Sequence, residues 1–330
     1  MGQPVRLLSR TDVERLLDVR SCISGVETAF RLRGQGQPSP SGVVGVHVGA
    51  GGFHAKAAFL ELSRPYFVVK TNANFPDNPR TRALPTIQGL LLLFDAESGE
   101  PLAVMESAAI TTIRTAAASA VAAKYLSRSD ARTASFIGCG VQARAHVAAI
   151  AAVRELRRVV VFDIDEQKAG LFAKTLQQSC EFEISVARSL SDATRETSIV
   201  VTTTSSTRAF LGPDDVSQGT FIAAVGADNE HKQELQIELL RRSVVVVDDL
   251  EQCAAIGDLH HAIDAGVIHR ENVRATLAEV VAGLKEGRRN NDEITVFDST
   301  GVAIEDVAAA AIVFERAQLE GVGFDINFSS

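Results

Sequence analysis

No apolar run in the 330 residues approaches the roughly 18 that a membrane span requires, and no signal-peptide pattern is present. The cysteines number only four (Cys22, Cys139, Cys180 and Cys253), scattered and without a CxxC pair. That spacing predicts neither a disulfide framework nor a zinc site. Long Lys/Arg clusters are missing and the formal net charge is −8, which argues against nucleic acid as a partner. HExxH, the GxSxG nucleophile elbow and the GKS/T phosphate loop are missing too. His260 and His261 are adjacent, so on a helix they would point about 100° apart and chelate poorly; surface or helix-end histidines, and no metal, are expected. Met1-Gly2 is no myristoylation signal, because Arg6 stands where Ser or Thr is wanted. No internal repeat, low-complexity tract or coiled-coil heptad appears. A reducing cytoplasm is the expected compartment.

What is present is an ordinary globular balance, 46% hydrophobic and 22% charged, in a length that suggests about two domains. The stretch from Thr133 to Asp163 reads as strand, glycine turn, helix, strand and acid, the order a dinucleotide-binding βαβ unit requires. Gly138 permits the sharp turn off the strand. Gly140 lacks a Cβ, so a pyrophosphate can approach the main chain, and Ala143 lets helix and strand pack closely. The helix N-terminus then offers N–H groups and a positive dipole end to phosphate. Asp163 is placed to accept bonds from ribose hydroxyls. It would repel a 2′-phosphate, and no arginine follows it in Asp163-Ile164-Asp165. NAD is expected rather than NADP. A bare GxGxxA turn also arises as plain structure, and the flanking strands and acid are what favour the nucleotide.

Along the chain, residues 1–35 predict a short strand and two helices, with Thr11-Asp12-Val13-Glu14 as a capping box. From about 40 to 107 five short β-like runs follow, separated by turn residues, with a hairpin connection at Asp95–Gly99; an antiparallel sheet is expected. An alanine-rich helix over about 108–127 connects the domains. The second half alternates apolar runs with helical segments, and its Val/Ile-rich strands predict a parallel sheet covered on both faces. After the strand Glu293–Asp298 a helix starts near Ile304, with acids in its first turn, and is expected to pack back on the first domain.

Several polar residues sit oddly. Lys70 lies inside the apolar run YFVVKTNA, where it needs an anion or, alternatively, an outward, snorkelling position. Arg114 interrupts an otherwise uncharged alanine-rich helix, as an anion ligand or in a buried ion pair. Lys56, in GFHAKAAF, is similar but reads more simply as surface. Asp228 follows the run GTFIAAVG, at a strand terminus of the kind where open α/β sheets place ligands; it could equally cap a helix HKQELQIELL. Thr86 and Ser299 lie at run ends and could be turn residues.

The runs LPTIQG, FDAESGEPLAVMES, IRTAAASAVAAKYL, IGCGVQA, AVGAD…KQEL and ITVFDSTGVAIEDVAAAA together resemble the ornithine cyclodeaminase/mu-crystallin family, in the family's order from about residue 40 to 318. The resemblance implies an α/β chain in which a Rossmann domain (118–303) is inserted into an α+β substrate and dimerisation domain (1–117 plus 304–330), and a homodimer. By that resemblance Lys70 and Arg114 hold the substrate α-carboxylate, Lys70 also serving catalysis and Arg114 also facing the cofactor. Thr86 and Thr115 touch the nicotinamide or phosphate region, with Thr86 on the substrate side. Val141, Gln142, Asp163, Thr204, Val225 and Gly226 line the NAD site. Asp228 is the acid/base at the substrate nitrogen, and Lys232, Ser299 and Thr300 close the site around nicotinamide and substrate. One departure stands out: members usually carry an arginine on the first sheet strand and a Met-Pro-Ala-like turn after the second. Here GVVGVHVG has none and FHAKAA replaces the turn, so Lys56 is expected to supply the charge or to meet a second polar group of the substrate.

The family's shared step is hydride transfer between an amino-acid α-carbon and nicotinamide C4. The expected activity is an NAD-dependent imine reductase or amino-acid dehydrogenase, acting on a ketimine or Δ1-pyrroline-2-carboxylate-type substrate or in the manner of alanine dehydrogenase. Cyclodeamination of ornithine to proline is the alternative within enzymes, and a nucleotide-dependent small-ligand binding protein the alternative outside them.

Overall fold

The protein is described by a computed structural model covering residues 3–328. Its chain divides into two units, one running to Thr115 and resuming at Val302, the other continuous from Ala116 to Gly301. The boundary falls inside the helix Ser107–Leu126.

The first unit opens with β1 (Val5–Leu8) and the helices Arg10–Leu16 and Val19–Gly34. The capping box is Ser9 with Asp12, not Thr11 with Glu14. Both spacings match the pattern, but β1 ends at Leu8 and Ser9 still has extended backbone (φ −72°, ψ 171°), so Ser9 is the residue free to cap; Glu14 pairs with Arg10 instead. Five strands then form an antiparallel meander: β2 (Ser41–Val48), β3 (Gly51–Glu61), β4 (Pro65–Asn74), β5 (Ile87–Asp95) and β6 (Pro101–Glu106). The hairpin after β5 is as expected, with the Asp95 carboxylate accepting from the N–H groups of Glu97 and Ser98. β1 adds to β6 in parallel, and the strand Phe324–Ile326 closes that edge antiparallel to β1.

Side-chain alternation gives this sheet two apolar faces. Ala58, Leu60, Tyr66, Val68, Leu91 and Leu93 are buried on the inner face, against which the C-terminal helix Ala303–Glu320 packs. That helix also packs on Val19–Gly34, as expected for the first unit. Its buried face is rich in alanine and valine, small enough for close approach. The outer face carries Val44, Val46, Val48, Leu90 and Leu92, all exposed.

The second unit holds an eight-stranded sheet, entirely parallel, in the order Ala275–Thr276, Val244–Val247, Thr295–Asp298, Phe221–Ala224, Ile199–Thr202, Thr133–Ile137, Arg158–Phe162, Glu183–Val186. The strands 199–202, 221–224 and 295–298 are buried at every position, which is why they read as unbroken apolar runs. The segment after Asp228 is not one helix. It forms a short strand, Gln233–Leu235, paired in parallel with Thr207–Leu211, and then the helix Ile237–Arg242. Glu234 and Leu235 give their N–H groups to Asp258 Oδ1 at 2.8 Å each, and those bonds are incompatible with a continuous helix. Asp228 therefore caps no helix.

Candidate active site

In the second unit the strand Thr133–Ile137 turns at Gly138, whose φ of +90° suits glycine. A Cβ there would lie 3.0 Å from Thr204 Cγ2 and 3.1 Å from the Thr203 carbonyl oxygen. Gly140 caps the helix Val141–Val153, and a Cβ built on it meets no protein atom within 4 Å. Nothing in the protein demands glycine at 140, whereas a ligand approaching the main chain would. Ala143 is completely buried beneath the helix. Val141 is 65% exposed at the helix start, while Gln142 Oε1 and Ser299 Oγ are buried and hydrogen-bond no protein group.

Asp163 follows the next strand and is tightly held. Its Oδ2 accepts from the Cys139 N–H at 2.8 Å and pairs with Lys168 Nζ at 2.9 Å; its Oδ1 accepts from the Asp165 N–H at 3.1 Å. Burial pushes this carboxyl up, but the Cys139 N–H, Lys168 and the Asp165 N–H outweigh it and hold it below its ordinary range. Lys168 escaped the sequence reading; its signal was its place in the first turn of Glu166–Gln177, directly after the capping Asp165.

Other expected residues are tied inward. Glu234, fully buried, accepts from the Thr202 and Thr204 hydroxyls and the Thr204 and Gly226 N–H groups. A Cβ on Gly226 would collide with Glu234 at 2.4 Å. Thr204 and Gly226 thus form a turn clamped by Glu234, with Val225 half-buried beside it. Thr300 gives its hydroxyl and N–H to Asp248 and accepts from Gln252. Asp228 is exposed and pairs with Lys232 at 2.7 Å. Glu234 belongs with Asp258 and Asp298 to a buried set of acids that sequence reasoning missed. Burial raises all three, Asp258 to about 7. For Asp298 the signal lay in its place at the end of the apolar run EITVFD.

In the first unit, Lys70 on β4 is 3% exposed and points to the inner face. Its Nζ lies 2.8 Å from Asp306 Oδ1 and 3.2 Å from the Thr111 hydroxyl. Arg114 sits 2.6 Å from Glu305 Oε2 and places Nε 3.0 Å from Asp306 Oδ1. Glu305 and Asp306, the acids in the first turn of the C-terminal helix, are buried, and nothing in their sequence context marks them as partners of these cations. Lys56, half-buried on β3, stands directly across from Lys70. Burial, Arg114 and Lys56 press the Lys70 ammonium down to about 7, against the pull of Asp306. Asn72 and Ser107 extend the polar wall with a 2.6 Å bond, made possible by Gly89, where a Cβ would meet the Thr71 carbonyl oxygen. Thr115 spends its hydroxyl on the Thr111 carbonyl, and Thr86 is half-buried with its carbonyl accepting from the Phe75 N–H.

The histidine pair differs from expectation. His260 is buried and bonds the Gly257 carbonyl oxygen, His261 bonds that of Lys232, and the rings lie 3.8 Å apart because side-chain rotation brings them together. Among the described residues, no three His, Cys, Asp or Glu side chains are grouped to hold a metal ion, and no helix is long and apolar enough to cross a membrane.

A sequence profile of the ornithine cyclodeaminase/mu-crystallin family matches residues 5–321. The chain belongs to that family. Within it, an archaeal alanine dehydrogenase, solved as a dimer with bound NAD, superposes with a TM-score of 0.94 at 39% identity, over 98% of this chain and 99% of that one. The Δ1-pyrroline-2-carboxylate reductase of Thermococcus litoralis, solved with NADH and L-proline, gives a TM-score of 0.93 at 36% identity, over 98% and 100% of the two chains. The iminosuccinate reductase of Paracoccus denitrificans is 34% identical over 278 residues, 84% of this chain and 83% of the relative.

Proposed function

We propose that this member of the family is an NAD-dependent oxidoreductase that moves a hydride between nicotinamide and the α-carbon of an amino or imino acid, in the cytoplasm. The observation that carries the reading is the pair of buried cations, Lys70 and Arg114, in a chain whose other unit holds a dinucleotide turn closed by Asp163. A buried lysine and arginine stacked against two carboxylates suit an arriving carboxylate. The continuous unit is the nucleotide-binding domain and the discontinuous one binds substrate.

The residues present fit the cofactor. Gly140 opens the main chain to a pyrophosphate, the helix Val141–Val153 presents its N-terminus, Gln142 Oε1 and Ser299 Oγ offer unused polar atoms, and Asp163 suits ribose hydroxyls. Thr204, Val225, Gly226 and Lys232 shape the surrounding turns, and by the resemblance Arg114 and Thr115 serve the cofactor and Thr300 and Thr86 the substrate. NADH, when bound, supplies the hydride. The protein's own part is to orient and to move protons. Lys70 and Arg114 fix the carboxylate, which positions the α-carbon. Asp228 gives a proton to the imine nitrogen as the carbon is reduced, and takes it back in the reverse direction.

The test is NADH absorbance with a panel of cyclic and acyclic imino acids, alongside L-ornithine plus NAD assayed for proline. Rapid oxidation with an imine establishes the reductase; proline without net NADH marks a cyclodeaminase; silence in both returns the binding-protein reading. The Asp228→Asn variant should lose about 10²–10⁴-fold in kcat. Near-wild-type turnover would remove Asp228 from the mechanism.

We also infer that the protein is a homodimer through the outer face of the first unit's sheet. That face exposes Val44, Val46, Val48, Leu90 and Leu92 and is furrowed by a groove lined by Phe59, Phe67, Val69 and Phe94. Exposed apolar area of this extent marks an interface.

A further inference from the structure

In the second unit, Glu234, Asp258 and Asp298 join the C-terminal ends of three neighbouring parallel strands, Ile199–Thr202, Phe221–Ala224 and Thr295–Asp298. In an open α/β sheet that edge borders the ligand crevice. Glu234 spans two of these ends. Its Oε1 accepts from the N–H and the hydroxyl of Thr204 at 2.7 Å each. Its Oε2 accepts from the Thr202 hydroxyl at 2.6 Å and the Gly226 N–H at 2.8 Å. Each carboxyl oxygen thus holds the N–H of a different turn. Thr204 in turn abuts the glycine turn, where a Cβ on Gly138 would lie 3.0 Å from its Cγ2. Gly226 has no room for a side chain, because a Cβ would lie 2.4 Å from the Glu234 carboxyl and 2.5 Å from the Thr204 carbonyl oxygen. Glu234 is itself held from behind. Asp258 Oδ1 accepts the N–H groups of Glu234 and Leu235 at 2.8 Å each. Asp298 accepts those of Asp258 at 3.3 Å and Leu259 at 2.9 Å. A line of carboxyl groups therefore runs from the end of one strand to the glycine turn.

Strand order decides which half of a dinucleotide this line serves. The strand Thr133–Ile137, which carries the glycine turn, lies between Arg158–Phe162 and Ile199–Thr202. Asp163 follows the first of these and Glu234 holds the end of the second. With adenosine ribose at Asp163 and pyrophosphate at the glycine turn, the nicotinamide half lies over the ends that Glu234 holds.

We propose that Glu234 is a positioning residue for the nicotinamide half of the cofactor, setting the Thr204 and Gly226 turns against the glycine turn through both carboxyl oxygens, while Asp258 sets Glu234 through its backbone. This rests on the nucleotide reading of the second unit and adds a residue that acts through its neighbours. The role needs two accepting oxygens. In a glutamine amide only the oxygen accepts, so the N–H of either Thr204 or Gly226 faces a nitrogen with no lone pair to offer. Asparagine at 258 differs, because its oxygen takes both N–H groups and its nitrogen replaces Oδ2, which hydrogen-bonds no protein group.

The test is titration of the full chain with NADH, followed by its fluorescence, and with ADP, which lacks the nicotinamide half, by calorimetry. Glu234→Gln should weaken NADH by about tenfold or more and bind ADP as the wild type does. Gly226→Ala, which drives a Cβ into the Glu234 carboxyl, should show the same selective loss and stands in if Glu234→Gln does not fold. Asp258→Asn should bind both nucleotides normally. Unchanged NADH affinity in Glu234→Gln or Gly226→Ala overturns the proposal, and so does an equal loss of ADP and NADH, the mark of a damaged fold. Loss of NADH in Asp258→Asn overturns the part given to Asp258. If the wild type binds neither nucleotide, the nucleotide reading fails and takes the proposal with it. If the wild type binds both and the variants match it, the reading stands and the proposal alone fails.

Discussion

Asp306 Oδ1 faces two cations at once, and both are buried. Removing that charge leaves Lys70 and Arg114 opposed to Glu305 alone, with the repulsion from Lys56 unrelieved. Asp306→Asn should therefore destabilise the protein by about 3–5 kcal/mol, the usual cost of stripping one partner from a buried ionic network, as read by denaturant unfolding. A loss below about 1 kcal/mol, the range of exposed pairs, would show that the network is wetter than it looks. Legibility at this scale was uneven. Lys70, Arg114 and Asp163 stood out as charges in apolar or alanine-rich surroundings. Glu305 and Asp306 did not, because acids in a helix's first turn are ordinary complements to its dipole, and their partners lie up to 236 residues away. Thr204, Gly226 and Thr300 came from the resemblance, and they are held by Glu234, inside a run that looks helical, and by Asp248, at the end of an apolar run.

The glycine turn is the element on which the proposed nucleotide site depends. Gly138→Ala places a Cβ 3.0–3.1 Å from Thr204 and the Thr203 carbonyl, at a φ of +90° that alanine resists. The expected result is a loss of about 1–3 kcal/mol in stability and NADH binding weakened by at least tenfold, measured by thermal unfolding and nucleotide fluorescence. Gly140→Ala, in open space, should spare stability while impairing the nucleotide, and the contrast separates a turn requirement from a ligand requirement. Elements were most legible where period and burial agree, as in the parallel strands. They were least legible where side-chain bonds override propensity. Leu235 looks helical within KQELQIELL, but Asp258 captures its N–H and holds it in a strand.

At the scale of the whole molecule, the exposed valines of β2 make assembly the first expectation to check. Val46→Asp, on the outer face, should shift the protein from dimer toward monomer in sedimentation, with unit folding intact by circular dichroism; a dimer that persists would move the interface elsewhere. Stability should also depend on pH in two adjoining windows. Asp258 is raised from 3.8 to about 7 in the folded state, so the folded protein binds more protons than the unfolded chain between those values and stability falls as pH rises through them. Lys70 is lowered from 10.5 to about 7, so the unfolded chain binds more protons above 7 and stability recovers as pH climbs toward 10. Denaturation midpoints across pH should show a dip near neutrality, shallower below pH 7 in Asp258→Asn. The parallel and antiparallel sheets were legible in the sequence; the outer apolar face was not, because its leucines, Leu90 and Leu92, alternate with Leu91 and Leu93, which are core.

The C-terminal helix brings Glu305 into contact with a residue 191 positions earlier in the chain, and this sets an order of events on the ribosome. Lys70 and Arg114 emerge long before the acids that neutralise them. At about 5–20 residues per second the interval is roughly 10–40 s. The strands of the continuous unit, Ala116–Gly301, are complete only a few residues before Glu305 emerges. The N-terminal sheet cannot finish: its inner face is bare of the helix Ala303–Glu320, and its cations stand unanswered. A nascent chain of this protein therefore carries an open, sticky half-sheet until the helix Ala303–Glu320 is translated, and that helix both closes the core of the first unit and neutralises its buried cations.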